Sequence, residues 1–419
     1  MNRKLSLIEG TMYAGGRTPV NVVSAVKIKG NIELQCLQEA LGKVQARHPL
    51  LRVNVIEDDS NIPHFITQEP LGKVEVRIAT RYTDKDWQKE AARECLKPFD
   101  AQHELLIRVV WLAADDVSEL IFVCHHCICD GRSVLNIIDE TLRLLAEPLL
   151  DIGSYTSFGS VQEFIPEKMR NSKLNQFKTA LVSVIAKLAL SLVAFKKEIK
   201  RNRPYLLYWK LDIEQSARIL AKCKAEEVSV NAAISVAFES AFKSTGSSKF
   251  HDKMYCAVDM RKFIPQVAAN MIFAYPSMID LSLKKCKSND FWSQARFIKE
   301  DLQEKINKMD VSGVLMYSES LMPSLAKMTK YARAEKGVHD FTLSNMGRVD
   351  IEERYGNMEV DAVYPHATIF PFGNPSTLFT TSFKGQIDFI FTSDEVFLAY
   401  DEAVLLKNEA MRLLIESAG

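Results

Sequence analysis

Val123-Cys124-His125-His126-Cys127-Ile128-Cys129-Asp130-Gly131 is the stretch from which the rest of the chain can be read. It closes an apolar run, Leu120 to Val123, that has the composition of a buried strand. It opens onto a segment with Val134, Ile137, Ile138, Leu142 and Leu145 at the spacing of one helix face. Two histidines therefore stand where a strand ends and a helix begins, a place where side chains leave the core and can meet a ligand. Side chains alternate along a strand, so His125 and His126 are expected on opposite faces. At most one of them can serve a given cleft.

Upstream, Ile32 to Val44 carries Leu34, Leu37, Leu41 and Val44 on one face, which predicts a helix running into Arg47-His48-Pro49-Leu50-Leu51-Arg52. Val53 and Val55 alternate with polar residues over 52–56, as in a half-buried strand. Asp86 to Lys97 suits a second helix, which Pro98-Phe99-Asp100 breaks, and strands over 105–112 and 120–126 follow. Downstream, residues 151–172 have the scattered Gly, Ser and Pro of a linker. Ala180 to Phe195 is then apolar apart from Ser183, Lys187 and Ser191. Lys173 and Lys178 precede it, and Lys196, Lys197, Lys200, Arg201 and Arg203 follow. The run is too short to cross a bilayer and holds a lysine midway. The plain expectation is a helix packed at the domain junction, the alternative a basic-flanked helix lying in a membrane interface. Its apolar residues fall nearly all round a helix of about 24 Å, so one core-facing stripe cannot bury them all, and a tunnel mouth, a partner subunit or lipid is expected to cover the rest.

The second half resumes with a helix over 230–242 after Ser229, an N-cap residue type. Strands are expected over 254–260, 278–283 and 341–343, with a helix over 291–306. Strands over 357–363, 376–383 and 386–392 follow, the last two joined at Lys384-Gly385, and a helix over 400–415 closes the chain. Both halves mix strands and helices alike, but only the first carries the histidine pair. That pattern suggests a duplicated fold in which one half lost its motif and kept a structural role.

Composition narrows the classes. The 419 residues hold two to three domains' worth of core, and 47% apolar with 25% charged is ordinary for a soluble globular enzyme. Lys+Arg and Asp+Glu both total 53, so charge gives no pointer to nucleic acid. Met1-Asn2-Arg3-Lys4-Leu5-Ser6 has no long apolar core behind its basic pair, so no signal peptide is expected. Eight cysteines without a signal suggest reduced thiols in a cytoplasm. Cys124, Cys127 and Cys129 lie beside the histidines, but a tetrahedral zinc site needs a second cluster, so no metal is expected. They read as small apolar residues lining the strand and turn.

His125-His126-Cys127-Ile128-Cys129-Asp130-Gly131 resembles the HHxxxDG motif of the CoA-dependent acyltransferase superfamily, which includes chloramphenicol acetyltransferase, nonribosomal-peptide condensation domains and alcohol acyltransferases. Arg47-His48-Pro49-Leu50-Leu51-Arg52, Pro98-Phe99-Asp100 and Leu105-Leu106-Ile107-Arg108 resemble further landmarks of the condensation and alcohol-acyltransferase branches, in the same order. Val258-Asp259-Met260-Arg261 and Ser344-Asn345-Met346-Gly347 resemble their C-terminal landmarks. The Asp-Phe-Gly-Trp-Gly motif of the plant branch is absent, since Asp340-Phe341 lacks the rest of it. The resemblance covers nearly the whole chain and places it with the stand-alone alcohol-acyltransferase and condensation-like enzymes.

The resemblance implies an α/β (α+β sandwich) fold of two chloramphenicol-acetyltransferase-like lobes, a pseudo-dimer with a tunnel between them. Residues 1–150 would form the N-terminal lobe, 151–205 a crossover linker with the apolar helix, and 206–419 the C-terminal lobe. It implies an acyltransferase that moves an acyl group from a CoA or carrier-protein thioester to an alcohol or amine, with His126 as general base. His125, Asp130, Gly131 and Arg261 would be structural, Arg261 pairing with Asp130. Ser344, Asn345 and Gly347 would supply oxyanion or tunnel contacts, or form a turn that uses Asn and Gly for their backbone. No tightly bound cofactor is expected, the thioester being a co-substrate. The expected partners are that donor, a hydrophobic acceptor or acyl group and, in one reading, a carrier protein; a free-standing chain leans to a diffusible donor. A monomer is expected, cytoplasmic or peripheral at the inner membrane face. Two alternatives stay open: a condensation-like enzyme of natural-product or lipid biosynthesis acting on carrier-bound substrates, and a non-catalytic relative that only binds a carrier protein or ligand.

Overall fold

A computed structural model of the chain describes residues 1–16, 18–192, 197–245 and 250–419. Two six-stranded sheets, each backed by helices, form two lobes, and a small three-stranded sheet (Asn2–Lys4, Pro63–Thr67, Val53–Glu57) flanks the first. In the N-terminal lobe the order is Arg354–Tyr355, Met358–Val363, Asn21–Lys29, Val117–His125, Ile107–Ala113, Glu75–Thr80. In the C-terminal lobe it is Pro276–Leu281, Met254–Asp259, Phe341–Arg348, Thr377–Phe383, Gln386–Asp394, Pro204–Lys210.

The two sheets share a repeated unit. Val117–His125 lies antiparallel between Asn21–Lys29 and Ile107–Ala113, and Ile107–Ala113 pairs parallel with Glu75–Thr80. Gln386–Asp394 lies antiparallel between Pro204–Lys210 and Thr377–Phe383, and Thr377–Phe383 pairs parallel with Phe341–Arg348. Each central strand feeds a long helix, Gly131–Ala146 in one lobe and Tyr400–Ala418 in the other. By register, His125 opposite Asn21 corresponds to Asp394 opposite Pro204.

The helix Gly131–Ala146 forms for the expected reasons. Asp130 caps it by accepting from the Ser133 backbone N–H at 2.9 Å, and Val134, Ile137, Ile138 and Leu142 are buried on one face. Burial of such side chains stabilises by about 1.5–3 kcal/mol each. Ser229 caps the helix Val230–Ser244, as its residue type predicted.

Three findings revise the sequence reading. The central strand Asn21–Lys29 was not anticipated, although it pairs with the motif strand along its whole length. The segment 354–363, read from sequence as part of the C-terminal lobe, crosses back and extends the N-terminal sheet through Met358–Val363. Ser344–Gly347 does not follow its strand but lies within it, where pairing with Thr377–Phe383 shifts between Asn345 and Arg348. The lobes also share packing. Trp87 stacks on Tyr364 at 3.8 Å and meets Tyr208 edge-on at 4.9 Å.

The apolar run expected over 180–195 belongs to a longer helix, Lys173–Leu192, and its residues 193–195 lie outside the described residues.

Candidate active site

The strand ends at His125, and the chain turns at His126 before the helix begins at Gly131. The backbone N–H of His126 donates to the Val20 carbonyl at 2.7 Å, so the neighbouring strand fixes where the turn starts. The two histidines part there. His125 is buried between the rings of Tyr13 (6.3 Å) and Phe99 (6.1 Å). The Arg108 guanidinium lies 3.9 Å from the centroid of the Phe99 ring and pairs with Glu94 at 2.6 Å. Burial, with the nearby His126 and the Arg108 charge acting the same way, pulls the His125 imidazole down to about 3, so it is a neutral packing group.

His126 is turned the other way, with its ring 5.7 Å from that of Phe370. Its Nδ1 lies 2.8 Å from the Cys129 carbonyl oxygen. A carbonyl only accepts, so Nδ1 carries the proton and, in the neutral ring, Nε2 is left with a free lone pair. Burial pulls the imidazole below histidine's ordinary value, while Asp130 and the Cys129 carbonyl act the other way. The ring is 7% exposed and is neutral at ordinary pH. An imidazole held by one nitrogen and free at the other has the form of a general base.

Asp130 does not face a ligand. Arg261 grips it with two bonds, Nη1 to Oδ2 at 2.7 Å and Nη2 to Oδ1 at 3.0 Å. Arg261 also donates to the Phe273 carbonyl and the Ser133 hydroxyl, both at 2.8 Å, and to Asp259 at 3.1 Å. Burial alone would raise the Asp130 carboxyl, but Arg261 and Ser133 outweigh it and hold it below the usual carboxylate range. The pair spans the lobes and locks the turn that carries His126.

Gly131 is required by a close approach. A Cβ there would stand 2.5 Å from His366 Cε1. His366 was not anticipated from sequence. It is buried, packs edge-on against Phe379 at 4.8 Å, and its Nε2 lies 3.3 Å from the Ser344 hydroxyl. Burial and the nearby His126 pull it to about 4. Ser344 is thereby on the motif side of its strand. Asn345 instead accepts from the Gly347 backbone N–H at 2.7 Å, and Gly347 has φ 64°, the conformation that favours glycine. Asn345 and Gly347 line a cavity of about 900 Å³ with Leu220, Val230, Ile351 and Phe383, and that lining does not include His126.

The other landmarks buttress this turn. Arg47 and His48 meet Glu140 of the motif helix at 2.9 and 2.7 Å. Burial pushes the Cys127 and Cys129 thiols well above their ordinary value, which keeps them protonated and poor nucleophiles. Among the described residues no group of three or more His, Cys, Asp or Glu is arranged to hold a metal ion.

Comparison with known proteins shows what the chain is similar to. Residues 12–165 match the model of the Condensation domain. A hybrid PKS-NRPS synthetase, xenE, of Xenoacremonium sinensis is 26% identical over 197 residues, 45% of this chain and 5% of that protein. The chain thus spans only a small part of that relative's length. Among solved structures, the condensation domain of the monacolin K polyketide synthase MokA superposes with a TM-score of 0.72 at 11% identity, covering 100% of this chain and 97% of that one. The TRI3 trichothecene 15-O-acetyltransferase of Fusarium sporotrichioides gives 0.71 at 11%, covering 99% and 95%. Residues 12–165 are thus similar to the Condensation domain, and the whole chain shares the two-lobed fold of these solved structures.

Proposed function

We propose that the protein transfers an acyl group from a thioester, of CoA or of a carrier protein, to an alcohol or amine acceptor, with His126 as the general base. The observation that carries this reading is the His126 Nδ1 contact to the Cys129 carbonyl, which leaves Nε2 unprotonated. In the proposed step Nε2 takes the proton from the acceptor O–H or N–H as that atom attacks the thioester carbonyl carbon. A new C–O or C–N bond forms and the carbonyl oxygen becomes an oxyanion. Collapse breaks the C–S bond, and the departing thiolate takes the proton back from the imidazolium, so ester or amide and free thiol leave together. Base catalysis of this kind contributes about 10²–10⁴-fold.

Of the three oxyanion candidates, Ser344 has the best support, because its hydroxyl faces His366 on the motif side. Asn345 and Gly347 are turned to the 900 Å³ cavity, whose mixed lining of Leu220, Val230, Ile351 and Phe383 with Arg348 and Lys384 suits a thioester arm and an apolar acyl group. The strand pairing that opens between Asn345 and Arg348 supports a route from that cavity toward His126. A carrier-protein donor is favoured by the match to the Condensation domain and by the synthetase relative; a CoA donor is favoured by the fold shared with an acetyltransferase.

The test is release of free thiol from a panel of acyl-CoA and acyl-carrier thioesters, with and without alcohols and amines. Acceptor-dependent thiol release, lost in His126→Ala, supports the reading. Binding of carrier or ligand without any turnover would instead identify a non-catalytic relative.

A further inference from the structure

The helix Lys173–Leu192 is seated the wrong way round for a core helix. Its partly covered stripe holds mostly small and polar residues, Asn175, Thr179, Val182, Ser183 and Ala186, with Leu190 near its end, and the helix packs against Val311–Leu321. Six large apolar side chains, Leu174, Phe177, Leu181, Val184, Ile185 and Leu188, point outward and are 48–67% exposed. They recur at three- and four-residue steps and so form one continuous face. An apolar face of this extent on a surface helix marks a docking site.

Charge identifies what docks. From Asn171 to Lys197 the sequence holds five lysines and no Asp or Glu. At 100° per residue Lys178 borders the apolar face on one side, and Lys173 and Lys187 border it on the other. All three are exposed. A second copy of the same helix would oppose lysine with lysine, and like charges at such a seam are repulsive. An anionic lipid surface satisfies both features: the apolar side chains enter the acyl boundary while the lysine stems run up its flanks to the headgroups. Among the described residues no helix is long and apolar enough to cross a membrane, so the fitting orientation lies in the plane of the interface.

We infer that Lys173–Leu192 is a membrane-docking helix that seats the protein on anionic bilayers through Leu174, Phe177, Leu181, Val184, Ile185 and Leu188. The full chain is tested by co-sedimentation with phosphatidylglycerol–phosphatidylcholine vesicles and with phosphatidylcholine vesicles alone. Sedimentation with the anionic vesicles is expected, weaker on the neutral ones and reduced by salt, which screens the lysine contribution. The exposed pair Phe177→Ser/Ile185→Ser should lower partitioning at least about tenfold with no loss of thermal stability. No binding to anionic vesicles, or equal binding by wild type and the double variant, overturns the inference. A dimer in sedimentation velocity that the double variant dissolves, with no vesicle binding, overturns it in favour of self-association. The readout needs no turnover, so its failure leaves the proposed acyl transfer untouched.

Discussion

The two lobes use the same strand–turn–helix unit to opposite ends. In the N-terminal lobe the central strand ends at His125 and the turn presents His126, held by a backbone carbonyl and locked from the other lobe through Asp130 and Arg261. In the C-terminal lobe the corresponding strand ends at Asp394, which is fully buried and turned inward. It accepts from the backbone N–H groups of Arg203 and Val396, both at 3.0 Å, and so closes its own turn. One turn spends its polar groups on neighbours and becomes a joint. The other keeps one nitrogen unengaged. The difference shows that a chemical group becomes available here only because the structure around it supplies every other bond the turn needs.

The strongest way to break this comparison is to unlock the first turn. Asp130→Ala leaves Arg261 buried without its bidentate partner, and breaking such a pair costs about 3–5 kcal/mol. Stability in urea and activity should fall together. An Asp130→Ala protein of normal stability would show that the clasp does not hold the turn.

Closing the gap beside the motif is the next step. Gly131→Ala pushes a methyl to 2.5 Å from His366, and because that ring is packed against Phe379, relief requires movement of the site. Overpacking of this kind costs about 1–3 kcal/mol, read as a lower melting temperature. Combining it with His366→Ala should recover part of that loss.

The second turn gives the control. Asp394→Ala leaves two part-buried backbone donors without their acceptor, a cost of up to about 1–3 kcal/mol, yet turnover per folded molecule should stay at the wild-type level. A selective loss of kcat in Asp394→Ala would mean that the C-terminal turn is not merely a joint.

Acid sensitivity comes last because it vanishes at neutral pH. His125 at about 3 and His366 and His339 at about 4 are all held below histidine's ordinary value by burial. Between about pH 6.5 and those values the unfolded chain binds protons that the native one refuses. Their stabilising contribution is therefore complete above about pH 6.5 and is lost as pH falls toward 4. Melting temperature against pH should show a decline in that window, and His125→Phe should make it shallower.

Much of this was legible in the sequence where the determinants are local. His125 to Gly131 is contiguous, the helix after it has a clean apolar period, and Arg261 stands in a recognisable landmark. Several landmarks then prove to brace the motif: Arg47 and His48 through Glu140 of its helix, and Phe99 and Arg108 around His125. What was not legible depends on distant apposition. His366 sits in an irregular stretch between strands, and nothing in its own neighbourhood signals that its ring will cover Gly131. The crossing of 354–363 into the first lobe is likewise decided by where an unpaired strand edge happens to lie. The periodicity of Lys173–Leu192 showed an apolar helix, but not that six of its large apolar residues would face the solvent.

The central claim is that the unengaged nitrogen of His126 does the chemistry. The direct measurement is kcat/KM for thiol release by wild type and His126→Ala with one acyl thioester and one acceptor, alongside melting curves for both. The account predicts a fall of at least about 10²-fold at unchanged folding, with the wild-type rate holding down to a pH below histidine's ordinary value because burial depresses this imidazole. A folded His126→Ala protein that turns over within a few-fold of wild type would contradict it.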